Sequence, residues 1–279
     1  MAIFLDDVSS DTVNLFVENY PARVIPRRRY SVEQIAGKNG DLFFDEGTFE
    51  NYTQTYNVYI SGEKAGTNLN AALNEVTGWL YPAMTQYVKL RDDYDTSVYR
   101  RAYFSGGGDI SSYFDKQGRG TLEFICQPQR FSIAGGNAST YTGIAGTTLT
   151  VPLNFPTGFT MPATPYLSIP TVSDVDMRVS LELYKSSQGT GTTTVVSSFL
   201  IPKSVVANNS LIRIIIDNEN QQIYGQNLSG ESISISEDIQ LTGEFFKVTE
   251  SDMRIRLSTT DDFTGKRFSI SITPNWWSL

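Results

Sequence analysis

Over most of the chain, apolar residues alternate with polar ones in short runs, and Gly, Pro, Asn and Asp gather between the runs. A period of two marks strands that bury one face, and the clusters between them mark turns. In the segment 178–184, Val179, Leu181 and Leu183 alternate with Ser180 and Glu182; in 266–273, Phe268, Ile270 and Ile272 alternate with serines. The apolar run 211–216, the turn Asp217-Asn218-Glu219-Asn220 and the run 221–224 predict a hairpin, because Asn and Asp tolerate turn conformations.

One stretch departs from this period. From 67 to 80, Leu69, Leu73, Val76 and Leu80 fall at helical spacing, with Thr67 or Asn68 available as N-cap. This predicts one amphipathic helix ending near Gly78, its stripe widened by Ala72 and Trp79 and laid across a sheet. Alternation fades between 127 and 141 in a stretch containing Pro128, Ala134, Gly135, Gly136 and Ser139. The expected fold class is therefore all-β with one short helix. An N-terminal β-sandwich or barrel-like domain spans residues 1–133, and a C-terminal β-sandwich of jelly-roll or lectin-like type spans 134–279. The segment 189–194 reads as a flexible hairpin tip.

Composition narrows the chemistry. The 279 residues include no His, which excludes Ser-His-Asp and Cys-His sites and, with one Cys, structural zinc sites of Cys and His. A net charge of −8 argues against a nucleic-acid-binding surface, since that affinity comes from Lys and Arg neutralising phosphates. Cys126 cannot form an internal disulfide, and no stretch reaches the roughly 18–20 apolar residues of a membrane span. The start of the chain lacks the basic and apolar regions of a signal peptide, so a soluble, non-secreted protein without cofactor is expected.

Few local motifs point to a site. Asp92-Asp93-Tyr94-Asp95 offers hard oxygen ligands but lacks the spacing, central Gly and closing Glu of a calcium loop, and reads as a solvated turn. Gly106-Gly107-Gly108 has no helix behind it to complete a phosphate cradle, and reads as a hairpin tip. Paired carboxylates of a glycosidase are a matter of spatial separation, which sequence does not give. Arg27-Arg28-Arg29 is a basic run in an acidic chain, either a docking point for an acidic partner or a solvated strand edge. Trp276-Trp277 could serve as a sugar platform, as an interface anchor, or in packing the tail onto its own domain. Cys126 shares a strand face with Leu122 and Phe124 and reads as core.

The order of features is more distinctive than any one of them. The segment 30–42, with Gly37 and Gly40, leads to Asp45-Glu46-Gly47-Thr48-Phe49-Glu50-Asn51. A helix with Trp79 near its end comes next, then Leu90-Arg91-Asp92-Asp93-Tyr94-Asp95, Tyr99-Arg100-Arg101-Ala102 and a strand from Gly120 to Pro128. This order over residues 20–130 resembles the distal tail protein (Dit) family of long-tailed phages. Weaker matches at Ile214-Ile215-Ile216-Asp217-Asn218-Glu219 and Gly243-Glu244-Phe245-Phe246 resemble that family's galectin-like C-terminal domain.

The resemblance implies a non-enzymatic structural protein of the virion, made in the host cytoplasm and sited at the tail tip or baseplate. It implies a ring of six subunits, with N-terminal domains around a channel and C-terminal domains outward. Partners would be the tail tube protein, the tail-associated hub or lysin, and receptor-binding or baseplate proteins. The galectin-like domain raises host saccharide binding as an alternative, although galectins use a His that this chain lacks.

Overall fold

The computed structural model describes residues 1–62, 68–106, 110–114, 117–144, 149–152, 164–171, 176–185, 192–245, 253–258, 267–275 and 277–278. They fall into two compact units, Met1–Phe131 and Ser132–Ser278. Gly107, Gly108, the segment 189–191 and Trp276 lie outside the described residues.

The first unit is built from β1 (Ile3–Leu5), β2 (Val8–Ser9), β3 (Leu15–Val17), β4 (Arg28–Glu33), β5 (Leu42–Phe49), β6 (Tyr52–Ser61), α1 (Leu69–Thr85), β7 (Val88–Asp92), β8 (Val98–Phe104), β9 (Ile110–Phe114) and β10 (Gln117–Ser132). Its main sheet runs β2-β1-β7-β8-β10-β6-β3, with β9 also on β10. The long pair of β10 and β6 keeps one register from Gln117↔Ser61 to Cys126↔Tyr52. Alternate residues of β10, Leu122, Phe124 and Cys126, are buried, and Tyr56 meets Phe124 edge-on with ring centroids 6.0 Å apart. The period of two seen in the sequence is thus the inner face of this sheet.

Helix α1 packs against β6 and β8. Asn68 is its N-cap, the side-chain oxygen accepting from the Ala71 N–H at 2.9 Å, which satisfies one of the orphan donors of the first turn. Leu69, Ala72, Val76, Trp79 and Leu80 are buried as expected, and Leu73 is half-buried. The helix does not stop near Gly78 but continues to Thr85. Ala83, four residues beyond Trp79 and seven beyond Val76, extends the buried stripe, while Pro82 lies on the exposed side. Burial of that extra turn outweighs the backbone hydrogen bond that Pro82 does not donate.

The second unit contains two antiparallel sheets among the described residues. Its strands are β11 (Ser139–Ile144), β12 (Leu149–Pro152), β13 (Tyr166–Pro170), β14 (Met177–Lys185), β15 (Thr192–Ile201), β16 (Leu211–Asp217), β17 (Gln222–Asn227), β18 (Ser232–Ser234), β19 (Gln240–Gly243), β20 (Met253–Ser258), β21 (Arg267–Thr273) and β22 (Trp277–Ser278). One sheet is ordered β11-β21-β13-β16-β17-β18 and the other β12-β20-β14-β15-β19. Leu167, Ile169, Ile214, Ile216, Ile270 and Ile272 line the buried face of the first, and Phe199 and Ile201 are buried in the second.

The hairpin read at 211–224 forms as β16 and β17, and Asp217 Oδ1 accepts from the N–H groups of Glu219 and Asn220, each at 3.0 Å, to set its turn. Thr192, Thr193 and Thr194, read as part of a flexible tip, instead belong to β15, where they pair with Lys185, Tyr184 and Leu183. A second helix, α2 (Lys203–Asn208), was not expected. It buries only Val205 and Val206, too few apolar positions for a helical period to register. No helix among the described residues is long and apolar enough to cross a membrane.

Gly225 on β17 faces Leu211. A Cβ built there would lie 2.4 Å from Leu211 Cδ1, and Leu211 is itself buried. Gly225→Ala is therefore expected to destabilise the second unit by about 1–3 kcal/mol, measured by urea unfolding. An unchanged midpoint would mean that Leu211 has another rotamer open to it.

Candidate assembly surface

Two strands of the first unit stand apart. β4 and β5 form an antiparallel ribbon that pairs with no other strand among the described residues. Every residue of β4 is exposed, as is β5 apart from its half-buried ends. The register Val32↔Phe43 and Tyr30↔Asp45 sets Tyr30, Val32 and Phe43 on one face, with the Tyr30 and Phe43 rings 4.8 Å apart. Phe43 is 59% exposed, and Phe44, Val32 and Ile35 also face water; Ile25, at the foot, is 81% exposed. A two-stranded ribbon is marginal by itself, and apolar groups gathered on it mark an interaction surface.

The arm is held in shape by polar contacts. Arg28 Nε donates to Asp45 Oδ1 at 2.6 Å and Nη2 donates to Oδ2, while the Gly47 N–H reaches Asp45 Oδ1 at 2.9 Å. The Arg28 hydrogen bond, then that of Gly47, keeps the Asp45 carboxyl below its ordinary range. Gly47 has φ +71°, a left-handed conformation that glycine adopts without strain, where the register shifts between Arg28 and Tyr30. At the foot, the Glu50 N–H donates to the Arg27 carbonyl at 2.8 Å.

The basic run thus falls on the arm. Arg27 and Arg29 are exposed, but the charge of Arg28 is taken up within the arm, so the surface is more apolar than basic. Trp277 is half-buried in the short strand β22. Cys126 is fully buried, and burial pushes its thiol up to about 12, which leaves it uncharged and unreactive near neutral pH.

In the acidic turn Asp93 and Tyr94 are exposed, as expected of a solvated turn, but Asp92 is not. Asp92 ends β7 with 1% exposure. Its Oδ2 accepts from Arg100 Nη1 and from the Tyr56 hydroxyl, both at 3.1 Å, and Arg100 Nε donates to the Tyr52 hydroxyl at 3.1 Å. Asp93 accepts from the Ala2 N–H at 2.9 Å, and Asp95 pairs with Arg130. The signal was in the sequence: Asp92 continues the buried alternation of Val88 and Leu90, and an acid at an inward position requires a buried cation.

On the second unit, Gln221, Gln222, Tyr224, Ser232, Ser234 and Glu237 line an open hollow of about 720 Å³. The Tyr224 hydroxyl is hydrogen-bonded to that of Tyr166.

No protein-family model matches the chain, and no curated protein matches it. Among solved structures, SPP1 Dit (gp 19.1), described as a paradigm of the hub adsorption apparatus in phages infecting Gram-positive bacteria, superposes with a TM-score of 0.63 at 12% identity. The match covers 100% of this chain and 99% of that one. A protein of A. japonicus CB05 and a fructosyltransferase from A. japonicus, each 9% identical, cover 80% of this chain and 40% of their own. With TM-scores of 0.21 and 0.20 they carry no argument. Along its full length, the chain has the fold of a phage Dit hub protein.

Proposed function

We propose that the chain is a structural hub protein of a phage tail tip. It assembles into a ring, of six subunits by the family resemblance, that joins the tail tube to the tail-associated hub or lysin and carries receptor-binding or baseplate proteins. The full-length correspondence of both units with the Dit hub is the observation that carries this reading. The arm supports it. A ribbon with open edges and exposed aromatics offers a neighbour both main-chain pairing and apolar area, and cyclic closure buries such contacts without open-ended growth.

The role is that of an adaptor without catalysis, as the lack of His and the buried thiol support. An acidic chain also suits a conduit for DNA, because like charge limits adhesion. The second unit is taken as the galectin-like domain, for which its two antiparallel sheets are the support.

Light scattering on a size-exclusion column is expected to give one closed multimer, six subunits by mass, stable to dilution. A monomer at every concentration would count against the ring. The hollow beside Tyr224 favours a second reading, host saccharide recognition, because hydroxyl and amide groups beside one aromatic ring suit a sugar. A glycan-array signal lost in Tyr224→Ala would support it, and silence across the array would remove it.

A further inference from the structure

The loop that joins the two strands of the arm, residues 34–41, is exposed throughout and closed by the pair Glu33↔Leu42. Within it the Lys38 N–H donates to the Ile35 carbonyl at 3.1 Å, and Gly37 and Gly40 take φ of +84° and +83°, in the left-handed region. Asn39 and Gly40 line an open hollow of about 500 Å³. No hydrogen bond among the described residues occupies the Asn39 side chain or the Gly40 N–H. A Cβ built on Gly40 would have nothing within 4 Å of it, so water reaches the junction freely.

Asn39 is the one asparagine of the chain that precedes a glycine. Asparagines in other turns differ in two ways. Their amides are tied down: Nδ2 of Asn209 donates to the Val205 carbonyl at 3.0 Å, that of Asn220 to Asp217 at 2.8 Å, that of Asn227 to Glu231 at 3.1 Å and that of Asn51 to the Tyr87 hydroxyl at 3.2 Å. Each is also followed by a residue whose side chain crowds the next backbone nitrogen, respectively Ser210, Gln221, Leu228 and Tyr52.

We infer that Asn39 is a self-modifying site, converted without an enzyme to isoaspartate and aspartate. The Gly40 backbone nitrogen, its proton passed to hydroxide, attacks Asn39 Cγ. The new C–N bond closes a succinimide ring and ammonia leaves. Water then opens the ring at either carbonyl, so one water is consumed and one carboxylate appears. Gly40 favours the attack because no Cβ shields its nitrogen and its backbone turns freely into the attacking conformation. The loop now balances one Lys against one Asp; conversion makes it net negative, so the arm changes charge with time.

The test uses the full chain as a monomer, obtained by dilution and checked by light scattering, or held so by Phe43→Ser with Phe44→Ser. It is incubated at several mildly alkaline pH values at which its circular dichroism is unchanged, then mapped by peptide mass spectrometry. The Asn39 peptide should split into two products, isoaspartate the larger, about tenfold or more faster than the peptides of Asn51, Asn209, Asn220 and Asn227 convert. The rate should climb with hydroxide, since the nitrogen attacks only after losing its proton. Asn39→Gln, which would have to close a larger ring, should stop it. An Asn39 peptide that stays intact, aspartate without isoaspartate, or a rate indifferent to hydroxide would each overturn the inference. The inference concerns the single chain and does not rest on the ring. A chain that never assembles yet converts at Asn39 removes the ring and keeps the site; a hexamer whose monomer keeps Asn39 does the reverse.

Discussion

Arg100→Met is expected to destabilise the first unit by about 3–5 kcal/mol, seen as a lower urea midpoint with the slope unchanged. The Arg100 side chain is 6% exposed and its partner Asp92 is fully buried. Burial works against the Arg100 charge, but the oxygens around it, those of Tyr56, Tyr52 and Asp92, more than offset that and hold the group charged. With the guanidinium gone, the Asp92 carboxylate keeps only the Tyr56 hydroxyl and the Asp95 N–H as donors, with no counter-charge. The double change Asp92→Asn with Arg100→Met should recover part of the loss, because it removes the orphaned charge as well as the pair. Tyr56→Phe, which deletes one donor and little volume, should cost about 1 kcal/mol. A loss below about 1 kcal/mol for Arg100→Met would mean that water reaches Asp92.

Phe43→Ser combined with Phe44→Ser is expected to leave unfolding unchanged while abolishing assembly. Both side chains face water in the single chain, so their loss should alter stability by less than about 0.5 kcal/mol. At the centre of an interface, aromatic anchors contribute about 2 kcal/mol each, and two of them correspond to roughly a thousandfold in association. Sedimentation should therefore give the monomer mass at concentrations where the unsubstituted chain is expected to assemble. An unchanged multimer would take the arm out of the interface, and a shifted unfolding midpoint would make it part of the fold.

The strands were legible wherever one face is buried and the other wet. β21 follows from alternation, and β16 and β17 from an apolar run and a second run joined by an Asp-Asn turn, and the structure gives them a buried isoleucine face. The extent of α1 was less so, because Ala83 contributes a buried position beyond Gly78 and Pro82, two residues that argue for an earlier stop. β4 and β5 carried the same alternation of Tyr30 and Val32 as any core strand. What separates them from the core is that no third strand among the described residues pairs with them, a tertiary fact with no local trace.

The polar interior was missed for a related reason. Arg130 extends the inward series Leu122, Phe124, Cys126 and Pro128, just as Asp92 extends that of Val88 and Leu90. Asp92 reads from the sequence as part of a solvated turn because the Tyr56 hydroxyl that it accepts from is distant in the chain, as Asp95 is from Arg130 and Tyr52 from Arg100. The order of elements survived at 12% identity because it is set by pattern rather than by side-chain identity.

The arm also bears on the fate of a subunit before assembly. Its ladder has no further strand among the described residues to shield it, so its backbone is expected to open with little free energy and to be the first place that proteases cut. In the proposed ring that ribbon is covered. Limited digestion would then sort the population, clipping latecomers and misfits between residues 27 and 49 while completed rings persist. Turnover, rather than synthesis alone, would keep the pool of loose subunits small.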